Sequence, residues 1–276
     1  MKLFNKVVII GTGLIGGSLG LALKKRHLAG QVIGLSRHKK NARLAKRIGA
    51  IDSVGSSIDA VKDADLVILA TPIEAIISLA PKIAKKLKKG ALVIDVGSTK
   101  ERIVSKLSAI IPNFLGCHPL AGSEKKGIAN LENDIFKGTA CVLTPTGKTN
   151  PAVLNKIKLL WSRLGARITI LPAKKHDQIL SLTSHLPHAV AFSLISAVPE
   201  QFFTLSANSL RDSTRISSSD ADLWSEIFLS NRNNLLTALS IFQLKLSGLK
   251  SALKNNDQKK LIKILKLAGN KRKKLG

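Results

Sequence analysis

Residues 6–18 read KVVIIGTGLIGGS, and this stretch decides the fold of the chain. A β-branched run leads directly into a glycine-rich turn, and an apolar helical pattern follows. Strand, turn and helix in this order form the G-x-G-x-x-G fingerprint of a dinucleotide-binding βαβ unit, whose helix offers free N–H groups to phosphates. The cofactor-binding residues predicted from this turn are Gly11, Gly13, Leu14, Ile15 and Gly16.

The start of the chain also imitates a secretory signal, because residues 7–23 are uncharged and follow two lysines. Five glycines in that stretch, and no A-x-A-like cleavage site before Lys24, argue against a signal peptide or a membrane span. Cys117 and Cys141 form neither a CxxC nor a Cys/His ligand spacing, which fits a reducing compartment. We therefore expect a cytoplasmic protein with no membrane contact and no metal site.

Further strand patterns alternate with helical patterns in the first part of the chain. They cover residues 31–35, 66–70, 91–96, 113–117 and 166–171. Such alternation is typical of a parallel sheet covered by helices. After Pro172 only helical periodicity continues. The sequence thus predicts an α/β fold with a Rossmann-type dinucleotide-binding domain (residues 1–172), followed by an all-α domain (residues 173–276).

Ser36 and Arg37 follow the second predicted strand, 20 positions after Gly16. An acidic residue at this place would bind the ribose hydroxyls of NAD and would repel a 2′-phosphate. Serine and arginine can bind that phosphate instead, so we predict that NADP is preferred and NAD is possible. The alternative is that Arg37 stacks on adenine and that the protein uses both cofactors.

Polar residues follow the ends of three other predicted strands, where ligands of parallel sheets bind. Thr71 and Pro72 follow one strand and are assigned to the cofactor, Ser98 follows the next, and His118 follows the third. An imidazole has a pKa suited to taking a proton at neutral pH, so His118 is the candidate general base. We expect Ser98 to orient it and to contact the cofactor; the alternative for Ser98 is a helix N-cap.

The helical part contains two polar clusters. His185 and His188 lie one turn apart and share a helix face with Ser184 nearby, so they form an active-site wall, a satisfied core pair or a metal site. Arg215 is suited to bidentate binding of a substrate carboxylate, or it pairs internally with Asp212. For Trp224, core packing is the simpler interpretation.

The 44 Lys and Arg residues outnumber the 17 Asp and Glu residues, and the formal net charge is +27. A positive charge of this size attracts polyanions. However, both halves of the chain carry the excess, and the few aromatic residues (4%) do not interleave with the lysines as stacking on nucleic acid requires. We therefore expect solvated basic faces, densest over residues 250–276, and do not expect nucleic-acid binding to be the function. A hydrophobic share of 45% excludes global disorder.

Five segments together carry a family resemblance. They are GTGLIGGS at 11–18, DVGSTK at 95–100, GCHPLAGSE at 116–124, HDQILSLTSHLPHAV at 176–190 and DSTRISSSDADLW at 212–224. In this order the chain resembles the prephenate/arogenate dehydrogenase family of tyrosine biosynthesis. The last three segments are far more specific than the glycine fingerprint.

The resemblance implies oxidative decarboxylation of prephenate, arogenate or both, with hydride transfer to NADP or NAD. His118 would accept the proton of the C4 hydroxyl, Ser98 would bridge cofactor, hydroxyl and histidine, and Arg215 would hold a carboxylate of the dicarboxylate substrate. A homodimer through the helical domain is also implied. The other substrate-binding positions implied are Ser123, Glu124, Ser184, His185, His188, Asp212 and Trp224.

Two other functions stay open on the residues alone. One is another two-domain NADP-dependent hydroxy-acid dehydrogenase with a helical substrate domain, although we expect Lys174 and Lys175 to precede the first helical-domain helix rather than face the histidines. The other is a basic NADP-binding regulator without turnover, which would need neither His118 nor Arg215.

Overall fold

The structure, a computed structural model, describes residues 2–121 and 134–275. Within these ranges eight strands form one sheet in the order β3-β2-β1-β4-β5-β6-β7-β8. All neighbouring strands are parallel except β6 and β7, which are antiparallel. The strands are β1 (Phe4–Ile10), β2 (Ala29–Leu35), β3 (Ser53–Val54), β4 (Leu66–Leu69), β5 (Leu92–Asp95), β6 (Phe114–Pro119), β7 (Ala140–Thr144) and β8 (Arg167–Ile170).

Helices cover both faces of the sheet, and the central strands are buried throughout. Alternate residues of β1 enter opposite cores: Val7 and Ile9 face one, and Val8 and Ile10 face the other. A strand buried on both faces reads as a continuous apolar run, which is why the sequence signal was strong here. The helices of this part are α1 (Leu14–Lys25), α2 (Lys39–Arg47), α3 (Ile73–Ala84), α4 (Glu101–Leu107) and α5 (Pro151–Arg163).

No strand follows β8 within the described residues, and the chain continues as helices. The first four are α6 (Ala173–Leu180), α7 (Leu186–Ser196), α8 (Asn208–Thr214) and α9 (Ala221–Ser230). Lys174 and Lys175 lie within α6, so the expectation that they precede the first helix is wrong. The predicted fold class, a Rossmann-type domain followed by helices, is confirmed. The first compact unit of the chain extends to Asn231, well past the change of secondary structure at Pro172. The division at 172/173 therefore stays a prediction about domains, distinct from this compact unit.

A continuous helical stretch, Ala173–Ser196, contains a π-helical turn at Ser181–His185 between α6 and α7. Pro187 follows this turn. It has no N–H to donate, and its ring would crowd a carbonyl of the preceding helical turn; the wider π turn gives the ring more room. By length and composition alone the stretch could cross a membrane, with a mean hydropathy of 1.3. Its His176 and Asp177 are buried in the compact unit, with polar partners from the sheet and from α4.

The second compact unit comprises residues 232–276. It consists of two helices, α10 (Arg232–Lys254) and α11 (Gln258–Lys273). The turn between them contains Asn256, whose φ of +49° is left-handed, and Asp257, whose carboxylate caps α11 by accepting the backbone N–H of Lys260. Asparagine tolerates a left-handed conformation better than most residues, so this turn is encoded locally.

Candidate active site

The three fingerprint glycines meet three different steric demands. Gly11 has a φ of +101°, and a Cβ there would lie 2.3 Å from the carbonyl oxygen of Ala70. A Cβ on Gly16 would lie 1.9 Å from the carbonyl oxygen of Gly11. A Cβ on Gly13, by contrast, would have no atom within 4 Å. Gly11 and Gly16 are thus required by the fold, whereas Gly13 borders open space at the start of α1.

The open space beside Gly13 is suited to phosphates. Helix α1 begins at Leu14, and its early N–H groups, including that of Ile15, have no carbonyl one turn before them. The side-chain hydroxyls of Thr12 and Thr71 are buried and have no hydrogen-bond partner among the described residues. Unpaired buried hydroxyls beside a helix N-terminus fit a polar anionic ligand, so these residues agree with a bound dinucleotide.

The other predicted cofactor residues surround the same end of the sheet. Ser36 follows the last residue of β2, and Arg37 is exposed with its Nη2 3.4 Å from Nε2 of His38. Pro72 is the N-cap residue of α3, directly after Thr71. The sequence expectation of a cluster at the carboxyl ends of the strands is therefore matched in position, and the roles of these residues stay predictions.

A cavity of about 580 Å³ lies beside this end of the sheet. Ser98 and His118 contribute from the strand ends, and apolar side chains such as Leu223 and Ile227 contribute from α9. The other sequence-predicted residues that line it are Ser184, His185, His188, Arg215 and Trp224. Asp212 lies exposed on α8 and is not among the described residues that line the cavity. Ser123 and Glu124 lie outside the described residues.

His118, near the end of β6, is held by a second imidazole. Its Nδ1 lies 2.8 Å from Nε2 of His176 on α6. The sequence predicts that Ser98 orients this ring, but the bond to Nδ1 comes from His176. Burial lowers the pKa of His118 well below its usual range, and the neighbouring His176 and Lys100 lower it further. The ring is therefore neutral at physiological pH, as a proton acceptor must be.

Two further imidazoles form the opposite wall of the cavity. Nδ2 of Asn231 donates to the backbone carbonyl of Asp177 and lies 3.1 Å from Nδ1 of His185, which must then accept. Burial lowers the pKa of His185 to about 4. Nδ1 of His188 lies 3.0 Å from the backbone carbonyl of Ser184, and burial lowers its pKa too. Both rings thus have protein partners at Nδ1, which favours the interpretation as a wall over the metal site.

Asp177 also shapes the turn that carries Ser98. Its Oδ1 accepts the backbone N–H of Lys100 at 2.8 Å, and its Oδ2 accepts that of Glu101 at 2.9 Å. These N–H groups open α4, so the cap of this helix comes from Asp177 on α6. The alternative that Ser98 serves as the N-cap is therefore wrong, because Lys100 is the N-cap residue and the carboxylate of another helix takes the N–H groups.

A fully buried ion pair lies under the same turn. Nζ of Lys100 contacts Oδ2 of Asp95 and donates to the backbone carbonyl of Cys117 at 2.8 Å. The backbone N–H of Gly97 donates to the same carboxylate at 2.9 Å. A buried pair with these additional hydrogen bonds ties the ends of β5 and β6 together. Ser98 and His118 are therefore presented from adjacent, fixed strand ends.

Sequence reasoning missed four polar residues behind the cavity wall: His176, Asp177 and Lys100 on the side of His118, and Asn231 beside His185. All four are buried. The only available signal was the presence of buried-type polar residues inside apolar segments, since burying such groups is costly without a partner. That signal was used for the pair at 185 and 188 but not for the HD pair at 176–177.

Comparisons with known proteins agree with this geometry. The family model described as prephenate dehydrogenase, nucleotide-binding domain, matches residues 19–170. The one described as prephenate dehydrogenase, dimerization domain, matches residues 172–267. The cyclohexadienyl dehydrogenase of Zymomonas mobilis is 35% identical over 270 residues, which cover 93% of this chain and 91% of that protein.

Solved structures of similar sequence have the same fold over the whole chain. Prephenate dehydrogenase from Aquifex aeolicus, in complex with hydroxyphenyl propionate and NAD+, has a TM-score of 0.93 at 32% identity, covering 99% of this chain and 98% of that chain. Arogenate dehydrogenase from Synechocystis has a TM-score of 0.85 at 29% identity, covering 98% and 100%. The predicted resemblance is confirmed, and the chain belongs to the prephenate dehydrogenase family.

Proposed function

We propose that this protein catalyses the NAD(P)-dependent oxidative decarboxylation of prephenate, arogenate or both, with NADP preferred. The observation that carries the proposal is the arrangement in one cavity of a neutral imidazole, a serine and an arginine: His118, Ser98 and Arg215. A base, a hydroxyl that positions the substrate oxygen and a cation for a carboxylate are the groups that this reaction needs from the protein.

His118 begins the reaction by accepting the proton of the substrate hydroxyl. Because its pKa is lowered, the ring is unprotonated and available at neutral pH. Ser98 lines the cavity beside it and contributes a hydroxyl that can hold the substrate oxygen in line with the base. A bound oxidised nicotinamide would supply the acceptor for the hydride of C4. Loss of the ring carboxylate as CO2 then yields the aromatic ring of 4-hydroxyphenylpyruvate or tyrosine.

Arg215 supplies the positive charge of the cavity. It follows α8 directly and lines the cavity together with Trp224. A guanidinium binds a carboxylate through two parallel hydrogen bonds, so it fixes direction as well as charge. Apolar neighbours such as Leu180 and Leu223 suit the substrate ring. A dicarboxylate with a cyclic apolar centre fits this combination.

The preference for NADP rests on the end of β2. No carboxylate lies at Ser36 or Arg37, and the following His38, Lys39 and Lys40 add basic character. A 2′-phosphate is favoured by such a cluster and a ribose hydroxyl pair gains nothing from it. NAD remains a second cofactor, and the Aquifex aeolicus relative was solved with NAD+.

The remaining parts of the proposal concern assembly and location. The match to a dimerization domain over residues 172–267 supports a homodimer built through the helical part. It also supports keeping 172/173 as the boundary between cofactor and helical domains. A cytoplasmic location, without membrane or nucleic-acid partners, fits the two buried free cysteines and the small-molecule site.

The test is a turnover assay of the purified protein with each substrate against each cofactor. Formation of reduced nicotinamide is followed by its near-ultraviolet absorbance. We expect turnover with prephenate or arogenate, faster with NADP than with NAD at equal concentration. No turnover in any of the four combinations would refute the proposed function, and a preference for NAD would refute the cofactor assignment alone.

A further inference from the structure

Three side chains form a hydrogen-bonded line from the cavity into the protein. Nδ1 of His118 lies 2.8 Å from Nε2 of His176, and Nδ1 of His176 lies 2.7 Å from Oδ1 of Asp177. His176 is fully buried and Asp177 is 2% exposed, so no solvent competes for these bonds. Of the three, His118 alone lines the cavity.

The position of each hydrogen follows from the end of this line. Both carboxylate oxygens of Asp177 already accept backbone N–H groups, from Lys100 and Glu101. The hydrogen between Asp177 and His176 therefore belongs to Nδ1 of the imidazole. In its neutral form His176 has one N–H, and with that hydrogen on Nδ1 its Nε2 is an acceptor. Nδ1 of His118 must then be the donor, which leaves Nε2 of His118 without a hydrogen.

We propose that His176 and Asp177 are positioning residues that hold His118 in its Nδ1–H tautomer and stabilise the positive charge formed when Nε2 takes the substrate proton. This inference rests on the proposed function for the identity of that proton. It goes further in assigning roles to two residues that do not line the cavity.

The proton transfers balance along the line. The O–H bond of the substrate breaks as a bond from hydrogen to Nε2 of His118 forms. The hydrogen on Nδ1 of His118 then passes to Nε2 of His176. His118 ends neutral, and the positive charge lies on His176 beside the carboxylate of Asp177, at the 2.7 Å contact. The electron pair of the broken O–H bond stays on the substrate oxygen and forms the carbonyl as the hydride leaves.

The surrounding charges explain why a second imidazole is useful. Burial disfavours a positive charge on His118 most, and a charge on His176 or Lys100 disfavours it further; Asp95, the partner of Lys100, is already engaged with it. His185, across the cavity, disfavours the charge as well. Asp177 is the carboxylate that compensates, and it contacts His176 rather than His118. A positive charge on His176 therefore lies next to the negative carboxylate of Asp177, whereas a positive charge on His118 does not.

A purely structural role would be a different explanation, because Asp177 also caps α4. The tautomer of His118 distinguishes this structural role from the proposed positioning role. In the full-length protein with 15N-labelled histidine, nitrogen shifts report which ring nitrogen carries hydrogen, and His118→Asn assigns the signal. We expect Nδ1–H at neutral pH. An Nε2–H tautomer would overturn the proposal, and this readout needs no substrate, so it stays decisive even if the turnover assay fails.

Two variants of similar size then test the effect on turnover. Glutamine at 176 can still accept from Nδ1 of His118 through its carbonyl, whereas leucine cannot. We expect kcat to fall about 10-fold in His176→Gln, because the link to Asp177 is lost, and about 100-fold in His176→Leu, because the tautomer is released as well. KM should change less than about threefold in both variants, because His176 does not line the cavity.

The ordering of these variants decides the matter. Equal losses for glutamine and leucine, wild-type kcat in His176→Leu, or an effect on KM alone would each overturn the positioning role. If His176→Leu does not fold, the tautomer in the wild type and the kcat of His176→Gln still decide it: an Nδ1–H tautomer with reduced kcat supports the proposal, and any other pair of results overturns it.

Discussion

The indole ring of Trp224 lies flat on the imidazole ring of His188, with centroids 3.4 Å apart and planes inclined by 19°. The stack joins α9 to α7, and the edge of the His188 ring is held through Nδ1 by the backbone carbonyl of Ser184. The sequence favours core packing for Trp224. In the structure it packs against the core beside α3 and lines the cavity at the same time. The indole ring of Trp224 thus fixes the orientation of the His188 ring in the cavity wall.

Replacing His118 tests the general base. We expect His118→Asn to lower kcat by about 100- to 10,000-fold, because asparagine cannot take up the hydroxyl proton that the proposed mechanism gives to His118. Cofactor affinity, measured by quenching of tryptophan fluorescence, should stay unchanged. His27→Asn is the matched control: His27 is exposed and has a φ of +52°, which asparagine tolerates. Wild-type turnover in His118→Asn would remove His118 from the mechanism.

Gly13 allows the cofactor site to be tested apart from the fold. Its φ of −74° suits alanine, and the new Cβ would enter open space. Gly13→Ala should therefore unfold at the wild-type temperature but bind NADP at least about 10-fold more weakly, because the methyl group occupies the approach of the pyrophosphate. Gly147→Ala also places its Cβ in open space, away from this turn, and should bind normally. Equal affinities in the two variants would contradict the phosphate site.

Ser36 controls the choice between the two cofactors. A carboxylate at this position repels a 2′-phosphate and accepts hydrogen bonds from ribose hydroxyls. In Ser36→Asp the ratio of kcat/KM for NADP to that for NAD should fall by roughly 10- to 100-fold. Ser36→Asn has the same shape without the charge and should shift the ratio far less. An unchanged ratio in the aspartate variant would show that the 2′-phosphate binds elsewhere.

Arg215 is expected to act on substrate affinity. Loss of a charged hydrogen-bond partner is worth about 1.5–3 kcal/mol, so Arg215→Ala should raise KM roughly 10- to 100-fold with a smaller change in kcat. Arg215→Lys should recover only part of this, since an ammonium cannot make two parallel bonds. Arg211→Ala removes the same charge one turn earlier on α8, and its KM should remain that of the wild type. If both alanine variants behave alike, Arg215 acts only through general charge.

Much of the fold could be predicted because the central strands are encoded locally. Their two buried faces leave continuous apolar runs, and the fingerprint glycines mark the first turn. Strand β7 was missed, since its partner β6 and its antiparallel direction are set by distant pairing. The extension of the compact unit to Asn231 was also missed. Contacts across long stretches of chain create it, such as Thr99 with Ser230, 131 residues apart.

The sequence predicts residues that line the cavity but not the buried residues that hold them in place. His118, His185 and Arg215 line one cavity because strand ends and helix faces have fixed periodicities that a sequence reveals. His176 and Asp177 reach His118 and α4 only after the helical part docks on the sheet. Their local pattern offers only the weak signal of a polar pair beside an apolar segment, and it does not show what the pair contacts.

The pH dependence of stability should report on His185. Its pKa is about 4 in the folded protein against an ordinary value of 6.5. Above pH 6.5 neither state binds a proton there, and the free energy of unfolding keeps its full value. Between pH 6.5 and pH 4 the unfolded state binds a proton at His185 and the folded state does not, so the free energy of unfolding falls as pH falls. The loss is about 1.4 kcal/mol per pH unit and about 3 kcal/mol across this range.

His185→Asn isolates this contribution. The asparagine carbonyl can replace Nδ1 of His185 as acceptor for Nδ2 of Asn231, but it does not titrate. His118 and His188 titrate in both proteins, so their contributions cancel except for the part that the charge of His185 adds. The free energy of unfolding is measured with urea at several pH values. Between pH 6.5 and pH 4 the wild type should lose about 3 kcal/mol of stability relative to the variant. Parallel stability curves would mean that His185 accepts its proton in the folded state as readily as in the unfolded one.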